Sequence, residues 1–202
     1  MKTYRAPRAA VRAELREKGS RFLCVLAPAD SRPAAVAALE AIRREFPDAT
    51  HHCFAWRLGA RTEERSSDDG EPAGTAGLPI LRVLQGAELS DVLAVVVRWF
   101  GGTKLGKGGL VRAYGGAARE AIAHLATVER APTVAGRVEV SYELLGAVHR
   151  LVRPPAVERL GEEFGERVRV ELRVRLDELE VVEASLADLG LTFERNNPAG
   201  NA

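Results

Sequence analysis

The stretch from Arg98 to Gly116 reads RWFGGTKLGKGGLVRAYGG and holds seven glycines, five of them between two runs of opposite character. Before it, Val92-Leu93-Ala94-Val95-Val96-Val97 is unbroken and largely β-branched, the pattern of a strand buried on both faces. After it, from Leu110 to about Ala126, apolar residues recur at helical spacing. A glycine-rich connection lets the backbone approach a partner closely and can aim several N–H groups at an anion. The neighbouring cations favour the same ligand. The candidate contact surface for phosphate, free or within nucleic acid, is therefore Arg98, Gly101, Gly102, Lys104, Gly106, Lys107, Gly108, Gly109 and Arg112. A tight strand-to-helix turn needing positive φ, with solvated lysines, accounts for the same residues, and Arg98, at the end of the buried strand, can instead pair with Asp68, Asp69 or Glu71.

The order of this stretch is not that of a standard nucleotide motif. Gly106-Lys107 is followed by Gly108, so no hydroxyl stands where a P-loop holds magnesium. Gly102, Gly106 and Gly109 also miss the GxGxxG spacing. Kinase and NTPase chemistry therefore lack a motif here.

A chain of 202 residues has room for one large or two small domains. Its formal net charge is +1, unevenly spread. Residues 1–130 carry 20 Lys and Arg against 15 Asp and Glu, a net of +5; residues 131–202 carry 9 against 13, a net of −4. The N-terminal part is the side for a polyanion, through a patch rather than a generally basic surface. Cys24 and Cys53 both sit in apolar strand-like runs, where a buried, reduced thiol is expected. With no signal peptide and no apolar run of about 18 residues, a cytoplasmic protein with no membrane contact is expected.

Ser20 to Ala27 reads as a strand, and Asp30 or Ser31 caps a helix to about Phe46. His51 to Leu58 reads as a strand, Gly59 to Pro72 as a loop, and Ala76 to Gln85 as a short helix with Pro79 in its first turn. Ser90 to Phe100 is the central strand and Leu110 to Ala126 a long helix. Ala131-Pro132-Thr133 reads as a linker, after which the pattern restarts. Arg137 to Tyr142 is a strand, Glu143 to Leu151 a helix, and Val157 to Phe164 a strand or an extended loop. Val168, Val170, Leu172, Val174 and Leu176 alternate strictly and share one strand face. A helix to Leu189 and a strand from Leu191 to Glu194 complete a βαββαβ order, the ferredoxin-like plan. The expected domains are 1–130 and 135–195, with a disordered tail at 196–202.

Ser66-Ser67-Asp68-Asp69-Gly70-Glu71-Pro72 puts three carboxylates within four residues. Such a cluster can bind Mg²⁺ or supply acid and base groups. It lacks the EF-hand spacing, and Asp-Asp-Gly is good turn chemistry, so a shaped turn that also uses Gly70 and Gly74 is favoured. His51 and His52 are adjacent on a strand and point to opposite faces, so they do not readily share a metal. No CxxC or HxxxH partner supports a zinc site, and no metal or cofactor is expected. One of the two histidines can meet the acidic loop. His51, His52, Asp68, Asp69, Gly70, Glu71 and Gly74 form the second candidate set.

These segments carry a resemblance. Ser67 to Gly77, Val97 to Gly102 with Leu105-Gly106, and Gly108 to Tyr114 are similar to the signature blocks of the IMPACT/YigZ family. His51-His52-Cys53 and Lys18 to Phe22 resemble two further blocks, so the likeness spans about residues 15 to 130. Residues 135 to 195 resemble the small C-terminal domain of the bacterial members. The resemblance implies an α+β protein. Its N-terminal α/β sandwich would be similar to a ribosomal protein's second domain and to domain IV of elongation factor G. Its C-terminal domain would be ferredoxin-like, similar to domain V of that factor. Eukaryotic relatives act in translational control, through a protein partner, by blocking activation of an amino-acid-starvation kinase, a stress response. Lys104 and Lys107 fall where the signature leaves the residue variable.

Three functions stay open. The first is a cytosolic RNA- or ribosome-associated factor that tunes translation through the basic glycine-rich stretch. The second is an enzyme for a small phosphorylated or amide substrate, using His51, His52, Asp68, Asp69 and Glu71. The third is a regulator that binds a protein partner without nucleic acid. The oligomeric state is not fixed by the sequence.

Overall fold

The structure, a computed structural model, describes residues 3–59 and 63–196 and divides into two compact units, Thr3–Arg130 and a second that begins at Ala131. The first runs β1 (Tyr4–Pro7), β2 (Val11–Glu17), β3 (Ser20–Pro28), α1 (Arg32–Glu45), β4 (His51–Leu58), β5 (Glu63–Ser67), α2 (Gly77–Gly86), β6 (Val92–Trp99), α3 (Gly106–Ala123) and β7 (Thr127–Arg130). Five of these strands form an antiparallel sheet in the order β2-β3-β6-β4-β5. Strand β6 lies at its centre, and every residue from Val92 to Arg98 is buried.

Both faces of that sheet are covered, which is why β6 is apolar from Val92 to Val97. Val92, Ala94 and Val96 join Phe22, Cys24 and Cys53 in a core with residues of α2 and α3. Leu93, Val95 and Val97 join Leu23, Phe54 and Trp56 in a core with α1. The Ser31 hydroxyl caps α1 by accepting from Ala34 N at 3.4 Å. Strands β1 and β7 pair antiparallel as a separate ribbon.

The second unit runs β8 (Thr133–Val140), α4 (Tyr142–Leu151), β9 (Val157–Phe164), β10 (Val168–Arg175), α5 (Leu179–Ala187) and β11 (Glu194–Arg195). Its sheet order is β11-β8-β10-β9 with every neighbour antiparallel, the ferredoxin-like arrangement. Val168, Val170, Leu172 and Val174 are buried in its core.

Several sequence-based boundaries change. The expected loop 59–72 contains β5, whose backbone pairs with β4 from Phe54↔Ser67 to Leu58↔Glu63; residues 60–62 of that loop lie outside the described residues. Helix α3 begins at Gly106 rather than Leu110, so the glycine-rich connection is shorter and four of its residues belong to the helix's first turn. Thr133, expected in a linker, opens β8, and the Pro132 carbonyl accepts from Leu176 N at 2.9 Å. Leu176 lies past the end of β10 and is exposed, not on the buried face. The expected tail falls, from 197 onward, outside the described residues. Among the described residues, no helix is long and apolar enough to cross a membrane.

Candidate functional site

The β-sheet register first sets the site. His51 of β4 and Phe22 of β3 both lie opposite Arg98 of β6, so all three side chains project from the face that carries α3. The segment after β5 then folds across this end of the sheet. Asp68 shapes it: one carboxylate oxygen accepts from Gly74 N at 2.8 Å, and the other accepts from Ala76 N at 2.9 Å and Gly77 N at 2.8 Å. Burial works to raise the Asp68 carboxyl, but these three donors outweigh it and hold it below the ordinary aspartate range. Asp69, at φ 43, accepts from the His52 backbone N at 2.7 Å and from Arg43 at 3.2 Å. The His51 Nδ1–H donates to the Asp69 carbonyl at 2.8 Å, which places the ring hydrogen on Nδ1.

This turn delivers Glu71 to the interior. Its carboxylate pairs with the Arg98 guanidinium, accepts from the Tyr114 hydroxyl of α3 at 2.7 Å, and lies 3.8 Å from His51 Nε2. The Glu71 and Arg98 side chains are 4% and 6% exposed, so this is a buried ion pair. Arg98 also lies over the Phe22 and Phe100 rings, 5.3 and 5.6 Å from their centroids, and donates to Ser20 Oγ at 3.4 Å. Burial first, then the neighbouring Cys53 and Glu71, drives the Tyr114 hydroxyl far up, so it remains a donor. Burial likewise pushes the Cys53 thiol up, reinforced by the nearby carboxylates, and its Sγ–H donates to the Asp68 carbonyl at 3.0 Å. Cys24 is buried and pushed up to about 12 for the same reason. Neither thiol is set up as a nucleophile.

Above the ion pair opens a cavity of about 330 Å³, walled by Glu71, Arg98, Phe100, Lys104, Lys107 and Leu110 among others. Lys104, Lys107 and Arg112 are exposed and have no ion pair or side-chain hydrogen bond among the described residues. They surround the start of α3, an 18-residue helix with no side-chain cap at its N-terminus.

The structure shows the surroundings of each sequence-based site residue. Of the two roles open to Arg98, the inward one is found: its charge is directed to Glu71. Gly101 serves the protein's own packing: a Cβ there would stand 1.9 Å from the Gly19 carbonyl carbon in the β2–β3 turn. Gly77 is similarly tight against Ser67, at 2.7 Å from its backbone N. His52 is apart from the acidic side chains' interior face, with its Nε2–H donating to the Phe46 carbonyl at 3.1 Å beside α1. Gly102 turns at φ 87 and Gly70 at φ 89, the latter beside the His51 ring. Gly106, Lys107, Gly108 and Gly109 form the first turn of α3. Tyr114, Ser20 and Arg43 were absent from the sequence-based sites. Tyr114 and Ser20 do lie within the stretches Gly108 to Tyr114 and Lys18 to Phe22 that carry the family resemblance, and Tyr114 is also a polar-tipped aromatic on a helix's apolar face. Among the described residues, no group of three His, Cys, Asp or Glu side chains is arranged to hold a metal.

Fold and site define a two-domain α+β protein whose N-terminal unit holds a buried Arg–Glu–Tyr network beneath a cationic helix start. The Impact N-terminal domain family matches residues 18–122, and a domain of unknown function, DUF1949, matches residues 138–190. The IMPACT family member YigZ of Escherichia coli is 40% identical over 193 residues, 93% of this chain and 94% of that one. An IMPACT family member of Haemophilus influenzae is 36% identical over 191 residues, 93% of each. The crystal structure of a hypothetical protein superposes with a TM-score of 0.75 at 35% identity, covering 98% of both chains. The chain belongs to the IMPACT family.

Proposed function

We propose that the protein is a cytoplasmic regulator of translation that binds RNA or the ribosome through the start of α3. The observation that carries this is the set Lys104, Lys107 and Arg112, unpaired around an uncapped helix N-terminus. Phosphate groups there would meet free backbone N–H donors and three cations that form no ion pair among the described residues. The +5 charge of residues 1–130 favours the same partner. Membership of the IMPACT family supports the link to translation, since its eukaryotic members act in translational control. Arg98, Glu71 and Tyr114 then act as the scaffold that fixes β6 against α3 and so positions these cations.

The carboxylates favour this function over an acid–base enzyme. Asp68 accepts three backbone N–H bonds, Asp69 bonds His52 N and Arg43, and Glu71 bonds Arg98 and Tyr114. Each is engaged in holding the loop. The test is co-sedimentation with purified ribosomes at low salt. Wild type should pellet with them and a folded Lys104→Ala/Lys107→Ala variant should remain largely in the supernatant. Equal pelleting of the two would remove this surface from the function.

A further inference from the structure

A separate surface of the N-terminal unit, made of different residues, carries an inference about a protein partner. Helices α2 and α3 pack side by side, and a groove of about 480 Å³ lies between them. Arg82, Val83 and Gly86 line it from α2, and Val111, Arg119 and Ile122 from α3. The α3 residues follow one another at spacings that keep them on one face of the helix. From Val111 to Ile122 that face runs about 16 Å, three turns of helix. The floor is aliphatic: no lining residue is aromatic and none is acidic. Val111 is 39% exposed, an apolar side chain left open to solvent.

The two arginines set the charge. Neither Arg82 nor Arg119 has an ion pair or a side-chain hydrogen bond among the described residues. This contrasts with Arg12, Arg21, Arg43, Arg57, Arg98 and Arg130 in the same unit, each held by a carboxylate. Glu120, the carboxylate nearest Arg119 in sequence, faces His124 at 3.5 Å. A Cβ placed on Gly115 would stand 3.5 Å from Arg119 Nη1 and 3.7 Å from Val83. The Arg119 guanidinium therefore folds back along α3 over Gly115, beside the line where the two helices meet.

We propose that this groove docks an acidic amphipathic helix of a partner protein. Its aliphatic residues would fill the floor, and its flanking carboxylates would pair with Arg82 and Arg119. A trough between two helices suits a third helix, read through anchors at i, i+3 or i+4, and i+7. Arginine matches carboxylates through its planar fork of donors. Nucleic acid fits less well, because an aliphatic floor offers no ring on which a base can stack. Glycine keeps the trough open. A Cβ added at Gly86 meets nothing within 4 Å, so a larger side chain there would enter the groove without displacing the core.

The test uses the full chain and a display library of random peptides of about 16 residues, long enough for a helix of about 24 Å. Wild type is the bait and the Gly86→Leu variant the counter-selection. Enriched peptides should carry Asp or Glu beside aliphatic residues at helical spacing. A synthetic copy of the leading peptide should lose about tenfold or more in affinity for Gly86→Leu and for Arg82→Gln/Arg119→Gln. Both variants should keep the wild-type circular dichroism spectrum and melting temperature. No enrichment, enrichment of basic peptides, or unchanged affinity in the folded variants would overturn the proposal. So would a variant that loses RNA rather than peptide binding, which would make the groove a nucleic-acid surface. A wild-type dimer in sedimentation that Gly86→Leu dissociates would make the occupant a second copy, and would overturn it as well.

Discussion

Glu71→Gln isolates the charge at the centre of the buried network. Glutamine keeps the shape of the side chain and an oxygen to accept from Tyr114. What it removes is the negative charge against Arg98. Both side chains are almost fully enclosed, at 4% and 6% exposure, so water cannot replace the lost partner. Leaving one member of such a pair uncompensated costs about 3–5 kcal/mol. The contacts of Arg98 with Phe22, Phe100 and Ser20 are present in both proteins and do not offset the difference. Globular proteins unfold with about 2.1 cal/mol/K of entropy per residue, so for a unit of about 130 residues the melting temperature should fall by about 11–18 °C. The chain's two tryptophans, Trp56 and Trp99, both lie in this unit, so fluorescence during urea unfolding reports on it directly. Adding Arg98→Met to Glu71→Gln removes the orphaned charge and should recover about 2 kcal/mol or more relative to the sum of the single changes. A Glu71→Gln variant within about 1 kcal/mol of wild type would refute the structural role assigned to the pair.

Asp68→Asn should cost about 1–3 kcal/mol at neutral pH, since the carboxylate accepts three backbone donors. Because its folded pKa is depressed, that stability is present above the ordinary aspartate value of about 3.9 and lost as pH falls through the folded value. Urea midpoints of wild type and variant should therefore converge in acid; a constant gap would contradict the assignment. Gly101→Ala should destabilise by about 1–3 kcal/mol or more, because its Cβ would overlap the Gly19 backbone, while Gly86→Ala should be neutral or stabilising. Equal thermal shifts for the two would show that close approach is not what Gly101 provides. Residues 3–130 expressed alone should give one cooperative melt, as expected of a unit with its own cores; a fragment without a transition would show dependence on the second unit.

Where local chemistry decided the structure, the sequence was legible. Strand β6 announced itself because helices cover both its faces, and β10 because its alternating residues meet one core. Ser31 marked the start of α1 as a side chain that caps a backbone N–H. Strand β5 was hidden because Glu63-Glu64-Arg65-Ser66-Ser67 has no apolar residue; it is an edge strand held by pairing with β4. Strands β1, β2 and β7 were missed for a related reason, being short or rich in charge. The start of α3 was placed late because Gly106, Gly108 and Gly109 oppose helix propensity. The acidic turn could be seen as a turn, since Asp68 bonds within its own segment. Of its consequences, the pairing with Arg98 was open in the sequence, whereas the Tyr114 contact was hidden, because Tyr114 lies 43 positions from Glu71 and only the packing of α3 brings it there.

The salt dependence of RNA binding tests the central claim most directly. For single-stranded RNA, the slope of log affinity against log salt is about −0.7 per phosphate contact. Fluorescence anisotropy with a labelled single-stranded RNA, titrated over a range of salt concentrations, gives that slope for wild type and for Lys104→Ala/Lys107→Ala. If both lysines meet phosphates, the double variant should melt like wild type, bind more weakly, and show a slope shallower by about 1.4. Unchanged affinity and slope in a folded double variant would contradict the claim and leave the start of α3 as a structural turn.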